Sequence, residues 1–141
     1  GIATDIIAGF CTETLEDHKD ALDMMSWVGY DSAFMFNYSQ RSNTLAAKKY
    51  EDDISYEEKT RRLEEIIDLQ RKLSLQSNQK DIGKEFEVLI EGESKRSREQ
   101  LYGRNSQNKV IIFDRKNFKI GEYVQVRVTS CTSATLFGEI V

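Results

Sequence analysis

Tyr123-Val124-Gln125-Val126-Arg127-Val128 places a valine at every second position, with polar or aromatic residues between. That two-residue period belongs to a strand with one face in a core and one in water. Working outward, Phe86–Glu91, Glu99–Arg104, Lys109–Phe113 and Thr135–Val141 read as four further short strands. Gly92, Asn105–Asn108 and Gly121 supply turn chemistry between them. Five such strands in about 60 residues predict a small antiparallel β-barrel of the oligonucleotide-binding sort, a shape that closes its own edges. Phe86, Phe113 and Phe137 are assigned to its core.

Upstream the period changes. Asp5-Ile6-Ile7-Ala8-Gly9-Phe10 is continuously apolar, as in a strand buried on both faces. Thr14 is placed to cap a helix, and His18, Ala21, Leu22, Met25 and Val28 recur on one face of it. Gly29 stops it, and Ser32–Tyr38 reads as a second strand. Strand, helix and strand in this length form a βαβ unit. Such a unit is open at both edges, so residues 1–50 read as a piece of a larger α/β sheet or barrel, its edges available for self-association. Residues 39–54 read as irregular. Ser55 and Glu58 have the spacing of a capping box, opening a helix to about residue 77. Leu63, Ile66, Ile67, Gln70 and Leu73 mark its buried face, with Arg61, Arg62, Glu64, Glu65 and Arg71 opposite. The fold class is therefore α+β: a partial α/β piece and connecting helix over 1–77, then a β-barrel over 78–141.

Composition narrows the function. The chain has 141 residues and a net charge of −4. Residues 1–77 carry 9 Lys/Arg against 15 Asp/Glu, whereas residues 78–141 carry 11 against 9. Two halves of opposite sign suggest different partners. No apolar run approaches a membrane span, and the start lacks a basic leader. Two cysteines, Cys11 and Cys131, suit a reducing cytoplasm. A single histidine supports neither a triad nor a zinc site. No Walker loop or dinucleotide fingerprint is present. An iron–sulfur cluster needs three or four thiolates, which this chain lacks. Acid pairs such as Asp52–Asp53 and Glu64–Glu65 read as solvated faces.

Two regions remain as candidates for binding. The loops after the two parallel strands, Phe10–Thr14 and Ser39–Thr44, lie where ligands sit on α/β folds. Gly9 fits either a close backbone approach to a ligand or a tight turn. In the second half, Lys95, Arg96 and Arg98 cluster in a loop, and Arg104 and Lys109 flank the next turn, with Tyr102 nearby. Cations that follow phosphates and rings that stack on bases are the parts used to hold single-stranded RNA.

Three motifs resemble one family. Asp5-Ile6-Ile7-Ala8-Gly9-Phe10-Cys11-Thr12-Glu13-Thr14 resembles the Asp-x-Ile-x-Gly-Phe-Pro-Gly-Glu-Thr segment of the radical-S-adenosylmethionine methylthiotransferases. The run from Phe36 to Ala47 resembles their Tyr-Ser-x-Arg-Pro-Gly-Thr-x-Ala segment. Leu101-Tyr102-Gly103-Arg104-Asn105 through Asn108-Lys109-Val110 resembles the Gly-Arg-x…Asn-x-Val core of their TRAM domain.

The resemblance implies a fragment of an enzyme that methylthiolates N6-isopentenyladenosine beside the tRNA anticodon. That enzyme uses S-adenosylmethionine and two [4Fe–4S] clusters whose ligands lie upstream, so this stretch alone is expected to be inactive. It implies that Gly9, Glu13, Tyr38, Ser39 and Arg41 border S-adenosylmethionine. The TRAM barrel is then expected to grip the anticodon stem-loop through Lys95, Arg96, Arg98, Tyr102, Arg104, Asn105 and Lys109. The remaining radical-S-adenosylmethionine and amino-terminal domains are the implied intramolecular partners. Cys11-Thr12 and Ser42-Asn43 replace Pro-Gly in the family pattern, which should loosen both loops. A related branch modifies a ribosomal protein and has acids where Arg41-Ser42 stands here, so Arg41 favours tRNA. A non-catalytic RNA-binding module is the reading outside the family.

Overall fold

The computed structural model describes all 141 residues, Gly1–Val141. The chain folds into two compact units, Ile2–Leu73 and Ser74–Val141, the latter also taking Gly1. No helix is long and apolar enough to cross a membrane.

In the first unit β1 (Ala3–Ala8) and β2 (Ser32–Asn37) pair in parallel, with Ile7 opposite Phe36. Helix α1 (Leu15–Val28) connects them. A complete capping box opens it: Thr14 Oγ1 accepts from the Asp17 amide at 3.1 Å, and Asp17 accepts from the Thr14 amide at 2.8 Å. Gly29, in the left-handed region at φ 67°, closes it. The sheet is covered on one face only. Ala8, Met25 and Ile66 form the buried centre there, flanked by Ile6, Leu22, Met35, Leu63 and Leu73. The opposite face leaves Ile7, Phe34 and Phe36 more than half exposed. The expectation of strands buried on both faces is therefore corrected. The two strands have helical cover from only one side, which converts a continuous apolar run into an alternation of covered and bare residues.

Residues 39–54 are not wholly irregular. Thr44 accepts from the Ala47 amide and starts a short helix, α2 (Leu45–Lys49). Helix α3 (Tyr56–Gln79) follows. Only half of its expected capping box forms. Ser55 Oγ accepts from the Glu58 amide at 3.2 Å, but the Glu58 carboxylate turns to Arg61 and Arg62. Two charged guanidinium groups outcompete one backbone N–H for that carboxylate. The buried face is also wider than expected, because Lys59 and Arg62 lie on it, each 5% exposed, beside Ile66 and Gln70.

The second unit is a closed barrel in the order β3-β4-β5-β7-β6. Its strands are β3 (Glu85–Ser94), β4 (Ser97–Arg104), β5 (Val110–Asp114), β6 (Tyr123–Cys131) and β7 (Leu136–Ile140). Val88, Ile90, Leu101, Ile111, Phe113, Val124, Val126, Val128 and Leu136 fill its interior.

Three expectations change here. Closure is made by a parallel pair, β5 with β7, so the barrel is not wholly antiparallel. Gly92 is not a turn: it is buried in β3 beside a register shift, and the strand continues to Ser94. Phe137 is not core. Leu136 is wholly buried, so its neighbour Phe137 alternates to the outer face, opposite Ile112 and Ser130. Gly103 faces inward, where a Cβ would collide with the Leu89 carbonyl, so only glycine lets β3 and β4 approach here.

Candidate functional site

In the first unit a pocket opens at the carboxyl ends of β1 and β2. Ile7, Phe10, Phe36, Asn37, Tyr38, Ser39, Arg41, Thr44 and Ala46 line it. Phe10 and Tyr38 meet edge to face, 5.0 Å between centroids. The Asn37 Oδ1 is buried without a hydrogen-bond partner. Tyr38 faces the Cys11 thiol, and that contact together with burial raises its pKa above the ordinary phenol range.

The loops around this pocket are tied to α3. Glu13 Oε1 accepts from the Gly9 amide at 3.1 Å and from Arg62 at 2.8 Å. Lys59 Nζ donates to both oxygens of Asp52 at 2.6 and 2.7 Å and to the Tyr38 carbonyl at 3.3 Å. Asp53 accepts from the Thr12 amide at 2.8 Å. Asp52 and the exposed Asp53 thus hold the loops in place and are not idle surface charges. Gly9, at φ 74°, abuts the Lys59 stem, so its missing side chain makes room for a lysine as well as a turn.

A line of charges continues along α3. Arg62 also bonds Glu58 at 2.8 Å, Arg61 bonds Glu58 and Glu65, and Glu65 meets His18 at 2.9 Å. Hydrogen bonds from Arg61 and Arg62 hold the Glu58 carboxyl down to about 2. Glu65 is lowered by His18 first and then by Arg61. Burial acts to depress Arg62, but its bonds to Glu13 and Glu58 outweigh it and raise the guanidinium pKa.

On the barrel, Lys95 and Arg96 form the exposed tip of the β3–β4 hairpin, with Arg98 exposed just beyond. Tyr102 is half-buried on the outer face, its ring against Gly92. Arg104 is partly committed: it bonds Glu91 at 3.2 Å and the Asn108 carbonyl at 3.1 Å. A groove lies alongside, lined by Glu87, Leu89, Glu91, Arg104, Asn105, Ser106, Asn108 and Tyr123. Pairing puts Tyr123, Leu89 and Arg104 in one row across three strands.

Two residues expected at an RNA surface are instead turned into the fold, with the Asn105 Nδ2 buried there without a partner. Lys109 Nζ bonds Asp81 at 2.6 Å and Ser77 Oγ at 2.8 Å, in a pair almost closed to water. Asn105 Oδ1 accepts from the Gln107 and Lys109 amides, both at 3.0 Å, shaping the β4–β5 turn. Sequence reasoning missed Asn37, Lys59, Arg62 and Tyr123. Tyr123 was legible as the outward member of the alternation in β6. The buried cations were not, because a helix of this polarity offers no rule for which charges turn inward.

The residues present fit one implied cofactor and not the other. The apolar rings of Phe10 and Phe36, with the exposed Ser39 and Arg41 beside them, suit a nucleoside carrying an amino acid, as in S-adenosylmethionine. An iron–sulfur cluster finds no such donors: Cys11 and Cys131 belong to different units, and no three His, Cys, Asp or Glu side chains converge.

Residues 79–141, which include the whole barrel, match the TRAM domain. The likeness extends well beyond that barrel. The chain is 59% identical, over 99% of its length, to the tRNA-2-methylthio-N(6)-dimethylallyladenosine synthase of Parabacteroides distasonis. It is 57% identical over its whole length to the protein of that name from Phocaeicola vulgatus. Against that of Porphyromonas gingivalis it is 55% identical over 99%. It spans 31%, 31% and 30% of those three proteins. The likeness to these synthases therefore runs along the whole chain but covers under a third of their length.

Proposed function

We propose that this chain is the carboxy-terminal part of a tRNA methylthiotransferase, supplying one wall of the S-adenosylmethionine pocket and a grip on the anticodon stem-loop. The observation that carries it is the strand-end pocket, built from Tyr38, Ser39 and Arg41 in a chain so close to the methylthio synthases. The domains follow the pattern 1–77 for the catalytic-barrel piece and helix, and 78–141 for TRAM.

In the pocket Asn37, Tyr38, Ser39 and Arg41 would hold the ligand, and Ile7, Phe10 and Phe36 would exclude water from it. Gly9 and Glu13 act one step back, shaping the loop. S-adenosylmethionine, when bound, supplies the methyl group and, with a cluster held elsewhere in the enzyme, the radical chemistry. On the barrel, Lys95, Arg96 and Arg98 meet phosphates, and Tyr102, Arg104 and the open ring of Tyr123 face the RNA. Lys109 and Asn105 support this surface from beneath.

The test is binding of an anticodon stem-loop across a salt series. Replacing Lys95, Arg96 and Arg98 by alanine should weaken binding and flatten the slope of log K against log salt by about 0.7–0.9 per lost phosphate contact. An unchanged slope would remove the hairpin tip from the interface.

A further inference from the structure

The loops around the strand-end pocket carry strained positions without prolines to stiffen them. Thr12 and Asn43 sit at φ 69° and 67°, in the left-handed region. A threonine holds that conformation only where its surroundings impose it. For the loop after β1, the constraint comes from α3 and the segment before it.

Lys59 and Arg62 lie three residues apart on α3, each 5% exposed. Arg62 reaches the loop after β1, where it bonds the Glu13 carbonyl at 2.9 Å and its carboxylate at 2.8 Å. That carboxylate in turn holds the Gly9 amide. Lys59 reaches the end of β2 through the Tyr38 carbonyl, and its stem lies where a side chain on Gly9 would have to go. It also fixes Asp52, whose neighbour Asp53 holds the Thr12 amide. Burying two cations is costly even when they are paired, and apolar residues there would satisfy a merely structural helix. The unit's apolar centre is made by Ala8, Met25 and Ile66. The two cations are spent on the loops.

We propose that Lys59 and Arg62 are positioning residues, which lock the β1 and β2 loops in the geometry that admits a nucleoside bearing an amino-acid tail. This rests on the pocket reading above. It adds that affinity there is set from α3, by side chains that do not line the pocket.

The test uses the full-length enzyme carrying these residues. S-adenosylhomocysteine is the probe, because it binds without turnover, and calorimetry reads its affinity. Hydrogen exchange at the Gly9 and Thr12 amides reads the loop directly. Lys59→Met and Arg62→Met should speed exchange at both amides and weaken the probe by roughly ten- to a hundredfold. Arg62→Lys should recover part of that loss, and affinity for the anticodon stem-loop should not change. Asp53→Asn, an exposed change that leaves both cations in place, should loosen Thr12 and weaken the probe less; it keeps the proposal testable if a methionine variant misfolds. Faster exchange with unchanged affinity would overturn the proposal, as would unchanged exchange. A parent enzyme that fails to bind the probe at all would instead refute the pocket reading, with the exchange data still deciding whether the loops are clamped.

Discussion

Lys109 shows how far a residue's type can mislead about its work. It sits in a basic stretch of the chain, yet its ammonium group is buried against Asp81, itself 3% exposed. Removing Lys109 would leave Asp81 with Lys84 alone, 3.0 Å away, so the cost falls short of the about 3–5 kcal/mol of a fully broken buried pair. Lys109→Met should therefore lower the barrel's unfolding free energy, read by urea titration, by less than that, and weaken RNA binding only as far as folding is lost. An unaltered midpoint with weaker RNA binding would return Lys109 to the interface. Phe137 carries a related lesson. Its aromatic character argued for the core, but alternation from Leu136 sends it outward. Parity along a strand outranks hydrophobicity when the two disagree.

At the scale of the element, α3 is a charged helix organised by partners on both sides of its sequence. The line from Glu13 through Arg62, Glu58, Arg61 and Glu65 to His18 joins the β1 loop, α3 and α1. Its pH response follows from the carboxylates. Glu58 titrates near 4.5 when unfolded and near 2 in the fold. A carboxylate depressed by folding contributes stability that is complete above its unfolded pKa and disappears as pH falls through the folded one. Glu65 and Asp17 shift in the same direction. The thermal midpoint of this unit should thus hold steady down to about pH 5 and fall between about 4.5 and 2. Glu58→Gln should shrink that fall; an identical fall in the variant would show that the α3 network is not its source. The short α2 helix was hidden from the sequence for a simpler reason. Five residues are too few to display a period, and only the Thr44 cap announces them.

At the scale of the whole molecule, the two units manage strand edges in opposite ways. The barrel joins β5 to β7 and leaves no edge. The β1–β2 sheet has two strands, open edges and a bare apolar face with Phe34 65% and Phe36 57% exposed. A face of this kind seeks cover. The 141-residue chain should therefore self-associate on concentration, and Phe34→Lys with Phe36→Lys should suppress it, as read by light scattering. A parent chain that stays monomeric at high concentration would show that the bare face is tolerated in water.

The sequence alone determined the βαβ unit, the long helix, the five strands and the Gly103-Arg104 motif, because period, caps and turns are local properties of a chain. It also pointed to Tyr38, Ser39 and Arg41, which the fold gathers at one pocket. Only the tertiary structure decided which face of β1 and β2 is covered and that the barrel closes through a parallel pair. It also decided that Lys59, Arg62 and Lys109 turn inward. Burial of a charge depends on a partner brought from 7, 28 or 49 residues away. That encounter is created by folding and leaves no mark in local spacing.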